Sequence, residues 1–183
     1  MRLRLRPFAV ILTVSLLALV VAPAQAAKPE GTLTVAVATF GNERWLPNLY
    51  VGAEDVVLKP LWENLLSRDA KGNLIPMLAE RWQVLDGGRT WKFHLRKGVR
   101  FHGNGPEVTA EDVKFTFTSI AKPGSANSMA PEFRTIKSLE VEDPYTITVR
   151  FDKPFVTLGN RVTQGLFASV AYIQSKKHIE AGE

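Results

Sequence analysis

Residues 89–113 read RTWKFHLRKGVRFHGNGPEVTAEDV. Six basic or imidazole side chains fall between Thr90 and His102, and the stretch then turns acidic at Glu111 and Asp112. Trp91, Phe93 and Leu95 alternate with Lys92, His94 and Arg96; past Lys97-Gly98, Val99 and Phe101 alternate with Arg100 and His102. A period of two sends successive side chains to opposite faces of a strand. The stretch is therefore expected to be a hairpin that turns at Lys97-Gly98, with one apolar and one basic face. Its cations read as the solvated side of a half-buried sheet. As a nucleic-acid grip they lack the interleaved exposed aromatics on which bases stack.

The acidic end of the stretch has a local explanation. Thr109-Ala110-Glu111-Asp112 is the pattern of a helix start, with Thr109 as the cap and the two acids favoured by the positive end of the helix dipole. The following "VKFTFTSI" also alternates, but the cap decides for a helix that buries Val113, Phe117 and Ile120.

Working toward the C-terminus, "AKPGSANSMAPE" is a loop by its Pro, Gly and Ser content. A second hairpin follows, with Leu139 and Val141 before a Glu142-Asp143-Pro144 turn and Tyr145, Ile147, Val149 and Phe151 after it. The final "SKKHIEAGE" carries a helix beginning and no natural stop. Working toward the N-terminus, Met77 to Trp82 is expected as a short helix behind Pro76, and "SRDAKGNL" as a turn. Ala53 to Asn64 is expected to be helical with Val57, Leu61 and Leu65 on one stripe, kinked or started late by Pro60. "GTLTVAVATF" reads as a strand covered on both sides, ending at Gly41. The loop beyond it places Phe40, Glu43, Arg44 and Trp45 at the carboxyl end of that strand, where α/β sheets tend to hold ligands. The alternative reading of the same residues is Trp45 in the core and Glu43 paired with Arg44 in solvent.

The chain opens with Arg2, Arg4 and Arg6, an apolar run from Phe8 to Val21, and Ala24-Gln25-Ala26. That is a secretory signal over residues 1–26, the run falling short of the roughly twenty residues that span a bilayer. Its removal takes three of the 23 Lys and Arg residues and none of the 18 acids, leaving 20 against 18 and a net charge of +2. The working protein is thus close to neutral, which excludes a strongly basic nucleic-acid binder. Cysteine is absent, so neither disulfides nor a lipid-anchored cysteine hold it. The expectation is a soluble periplasmic protein of a two-membrane bacterium. His94, His102 and His178 are the only histidines and none pairs at helical spacing beside a carboxylate, so no metal site, and no other cofactor, is expected.

The ordered motifs Pro76-Met77-Leu78-Ala79, Trp82, Asp86, Gly88, Thr90-Trp91, Phe93, Leu95 to His102 and Thr109 to Val113 resemble the signature of the family 5 extracellular solute-binding proteins. Their resemblance covers nearly all of the chain after the signal; "GNGPEV" is one residue longer than the commoner spacing, which touches only a loop. The family comprises periplasmic receptors of ABC importers for oligopeptides, dipeptides, nickel chelates and related solutes. The resemblance implies an α/β fold of the type II periplasmic-binding-protein kind, present in part: residues 27–64 would start lobe I, and residues 65–183 would form most of a small inserted α+β domain with β-hairpins. Members are about three times as long, as expected of chains too large for one core. The sequence therefore reads as an N-terminal fragment.

By the same resemblance the chain captures a peptide or similar small solute without chemistry. The resemblance further implies a monomer that hands its ligand to permease subunits in the inner membrane. Phe40, Glu43, Arg44 and Trp45 are the ligand-lining candidates, carried over by position in the fold. Two other classes stay open on the residues alone. A secreted hydrolase would need a nucleophile, base and orienting acid that three scattered histidines and no G-x-S-x-G elbow fail to supply. A polyanion-binding or structural module would use the basic hairpin face formed by Lys92, Arg96 and Arg100.

Overall fold

A computed structural model describes residues 59–163 and 171–182, with positions 31, 32, 34 and 36 besides. The signal segment, Phe40, Glu43, Arg44, Trp45 and residues 53–58 of the expected helix lie outside the described residues. Of the strand expected near the start, Thr32, Thr34 and Ala36 are described; all three are exposed and none lies in a strand. Among the described residues no helix is long and apolar enough to cross a membrane.

The body is a four-stranded antiparallel sheet made from two hairpins. Strand β3 (Ala79–Leu85) runs into β4 (Thr90–Leu95), β5 (Ile136–Asp143) into β6 (Thr146–Phe151), and β4 pairs with β6, giving the order β3-β4-β6-β5. Before it stands a small hairpin of β1 (Leu66–Arg68) and β2 (Leu74–Pro76). Helix α1 (Ala110–Ala121) packs over the sheet, followed by the short helix α2 (Ala130–Phe133). Two further short helices close the described chain, α3 (Leu158–Arg161) and α4 (Lys176–Ala181).

Register fixes which face is dry. Trp91 stands opposite Val149 and Phe93 opposite Ile147, with Trp82 and Val84 across from Phe93 and Trp91 on the other side. Leu139 and Val141 extend the same face from β5. Trp91, Phe93, Leu95, Ile147, Val149 and Phe151 are all buried, as the alternation requires. Helix α1 lays Val113, Phe117 and Ile120 onto this face, and the Phe117 ring meets Phe133 edge-to-face at 4.9 Å. Its expected start is present: the Asp112 carboxylate takes the Thr109 N–H at 2.8 Å in a capping box.

Several expectations are corrected. The basic stretch is not one hairpin, because β4 finds its partners in β3 and β6. The turn that links β3 to β4 is Asp86-Gly87-Gly88, whose φ values of 52°, 63° and 90° are all left-handed. Val99 to Phe101 instead fold on Pro106 to Val108, through Phe101 N–H to Pro106 O at 3.0 Å and Val108 N–H to Val99 O at 2.8 Å. Residues 79–82 are strand, not helix: cross-strand pairing with β4 outweighs the helix preference of Ala79, Glu80 and Arg81. Pro76 ends β2.

Lys59 to Leu61 form a turn and Trp62 to Asn64 no regular element; of the two described residues of that stripe, Leu61 is exposed and Leu65 is buried. The loop after α1 contains α2, with Pro131 in its first turn. Tyr145 belongs to the second hairpin's turn rather than its strand. Helix α4 does have a stop, Gly182 in the left-handed conformation at φ 78°.

Candidate functional site

The chain passes twice through one end of this body. Leu66 N–H donates to Val162 O at 3.0 Å, and Ile173 N–H donates to Glu63 O at 3.0 Å, so the segment leading into the sheet runs beside the segment leading away. Side chains of α1 hold the outgoing segment. Thr116 Oγ1 accepts Gln174 N–H at 3.0 Å, and Asp112 Oδ1 accepts Lys176 N–H at 2.9 Å.

Between these passages opens a cleft of about 720 Å³. Its walls are the turn at Pro60 to Glu63, the loop from Val99 to His102, and Ile173 to Ile179. The loop is pinned by His102, whose ring Nε2–H donates to the Leu61 carbonyl at 3.1 Å. Phe101 lies edge-on to the His178 ring, centroids 6.4 Å apart. Gly105 permits that approach: a Cβ there would stand 2.8 Å from Phe101 Cβ and 3.0 Å from His178 Cε1. Leu61 and Ile179 are about half exposed, which makes this an apolar cleft open at one side.

The cleft holds a serine and a histidine together, and the serine hydroxyl is engaged with backbone. Ser175 Oγ accepts the backbone N–H of His178 at 3.3 Å and so serves as the cap of α4. No cluster of His, Asp and Glu among the described residues is arranged to hold a metal ion.

The other face of the sheet carries the expected cations, and acids from β5 meet them. Lys92 pairs with Glu142, which also accepts Thr148 Oγ1 at 2.6 Å, and Arg150 pairs with Glu140 at 3.3 Å. Glu142 is held below the usual carboxylate range by the Lys92 and Thr148 hydrogen bonds. His94 is pushed down by burial and then by Arg81 and Lys92, so it tends to be neutral. This face is charge-balanced rather than basic. Arg96 and Arg100, the other two cations named for the basic face, lie beyond the end of β4.

The four ligand candidates of the sequence, Phe40, Glu43, Arg44 and Trp45, lie outside the described residues. The cleft was missed because its walls come from three distant segments with no common motif. Its one sequence cue was the pair of histidines, His102 and His178, flanked by apolar residues.

The sequence profile of the bacterial extracellular solute-binding proteins, family 5 middle region, matches residues 73–182. The chain is 30% identical over 174 residues to the probable di/tripeptide-binding protein 5 of Pseudomonas aeruginosa, covering 83% of this chain and 32% of that protein. Among solved structures, DppA of Helicobacter pylori, an ABC transporter-associated periplasmic binding protein in complex with the peptide STSA, superimposes with a TM-score of 0.62 at 25% identity, over 74% of this chain and 29% of that one. NikZ of Campylobacter jejuni in complex with Ni(L-His) does so with a TM-score of 0.65 at 24% identity, over 77% of this chain and 27% of that one. The fold is α/β and of the type II periplasmic-binding-protein class, present in part. The chain belongs to the family 5 bacterial extracellular solute-binding proteins. It spans about a third of the length of the curated relative and less of either structure.

Proposed function

We propose that this chain is the N-terminal part of the substrate-binding component of an ABC importer, exported by a cleaved signal over residues 1–26 and working in the periplasm. It captures a peptide or similar small solute and presents it to inner-membrane permease subunits, with no chemical step. Residues 27–64 start lobe I and residues 65–183 form the small inserted domain. Phe40, Glu43, Arg44 and Trp45, in the part of lobe I that the chain begins, face the solute.

The observation that carries this reading is the match of residues 73–182 to the family, in a chain whose relatives include peptide-binding proteins. The adjacency of the incoming and outgoing passages at Glu63 and Ile173 supports an inserted domain, whose two ends must meet where it leaves its host lobe. On this reading the cleft beside that junction, with Leu61 and Ile179 exposed, is apolar surface suited to face lobe I. Solute contact with both sides of a hinged receptor would favour its closed form, the form a permease distinguishes.

The test is to purify the product of the whole reading frame from a periplasmic extract and release its bound small molecules in acid for mass spectrometry. Short peptides are the expected cargo. Recovery of the protein from the cytoplasmic fraction with its first 26 residues intact would contradict the localisation. A preparation free of any peptide, with a different solute in stoichiometric amount, would contradict the cargo.

A further inference from the structure

A second depression, of about 390 Å³, runs between α1 and the edge strand β5. On α1 it is lined by Lys114, Phe117, Thr118 and Ala121, the i, i+3, i+4, i+7 stripe of one helix face. Its floor is apolar, because Phe117 and Phe133 close it from below and Ile136 and Leu139 are half-buried along the strand. Its rim is cationic: Lys114 from the helix, Arg134 after α2 and Lys137 from β5. Lys137 owes its place to a bulge. Ile136 stands opposite Phe151 and Ser138 opposite Arg150, which leaves Lys137 as the extra residue, free of the ladder's alternation.

The charge of this groove is uncompensated. Several cations outside it meet acids, as Lys92 does Glu142, Arg150 Glu140, Arg161 Glu132 and Lys176 Glu111. No Asp or Glu is in the groove lining, and the side chains of Lys114 and Lys137 make no hydrogen bond or ion pair among the described residues. Arg134 is engaged only by backbone, donating to the carbonyls of Ala121 and Lys122 at 3.2 and 3.1 Å, where it caps the end of α1. An apolar floor under unneutralised cations complements a segment that alternates carboxylates with aliphatic side chains.

We propose that the groove between α1 and β5 docks an extended acidic segment of a partner protein, with Lys114 and Lys137 as its anion contacts. The inference does not depend on which solute the receptor carries.

The test uses the protein and a short fluorescein-labelled peptide of alternating aspartate and leucine, read by fluorescence anisotropy at low salt. Saturable binding is expected, weakened by at least about fivefold in the Lys114→Glu/Lys137→Glu variant and unchanged in Lys92→Glu/Arg150→Glu. A peptide with lysine in place of aspartate should bind the Lys114→Glu/Lys137→Glu variant in preference to the unaltered protein. Equal affinity of the unaltered and doubly reversed proteins for the acidic peptide would overturn the proposal. So would a heparin oligosaccharide that binds more tightly than the peptide through the same two lysines, since the groove would then be a general polyanion surface. Circular dichroism of each variant confirms that a loss of binding is not a loss of fold.

Discussion

The carboxylate of Asp112 joins two helix starts: one oxygen accepts the N–H of Thr109 at 2.8 Å, and the other accepts the N–H of Lys176 at 2.9 Å, across 64 positions of sequence. Asp112 is buried. Asp112→Ala is expected to lower stability by about 2–3 kcal/mol, a lost cap together with a buried donor left unmet. Its neighbour Glu111 pairs with Lys176 in solvent, and Glu111→Ala should cost under about 0.5 kcal/mol. Urea unfolding of the two variants measures the contrast; equal effects would mean that Asp112 does not clamp the outgoing segment.

Phe117 is fully buried between the sheet and Phe133. Phe117→Ala should lose about 3–5 kcal/mol through transfer and cavity terms together. Phe117→Leu, which keeps most of the volume, should lose far less. Denaturant midpoints for the pair decide whether α1 is packed as described.

Gly88 combines two constraints. Its φ is 90°, and a Cβ there would stand 2.6 Å from Val156 Cγ1. Gly88→Ala is expected to cost about 2–3 kcal/mol from backbone strain and overpacking. Adding Val156→Ala, a change at an exposed side chain, should return the steric share and leave the backbone share. Full rescue in thermal melts would place the whole effect in the clash.

Acid should loosen the 97–108 loop. Glu107 accepts the Gly98 N–H at 2.6 Å and the Tyr145 hydroxyl at 2.9 Å, and these bonds hold its carboxyl below the usual glutamate range. A carboxyl lowered in the folded state contributes stability above its ordinary value and loses it as pH falls through the depressed one. Thermal melts from neutral pH down to about 3 should therefore fall less steeply for Glu107→Gln than for the unaltered protein. Parallel slopes for the two would show that Glu107 does not carry this part of the acid response.

What the sequence made legible was local. The two-residue alternation of Trp91, Phe93 and Leu95 identified the buried face, and the Thr109 to Asp112 cap chose helix over strand for an ambiguous run. What it could not supply was partnership. Val99 to Phe101 alternate as well as β4 does, and nothing local says that β4 pairs with β3 and β6 while Val99 pairs with Val108. Ala79 to Trp82 show the same lesson, since a helix-favouring tetrapeptide becomes strand once β4 lies beside it. The cleft was illegible for a related reason: Glu63 and Ile173 become neighbours only when the chain returns. The four ligand candidates rest on the family's fold rather than on any described geometry.

The most direct measurement is calorimetric titration of di- and tripeptides into two proteins, residues 27–183 alone and the product of the whole reading frame in which they lie. If the chain holds part of a two-walled solute site, micromolar or tighter binding should appear with the whole product and be absent from residues 27–183. Micromolar binding by residues 27–183 alone would contradict that account.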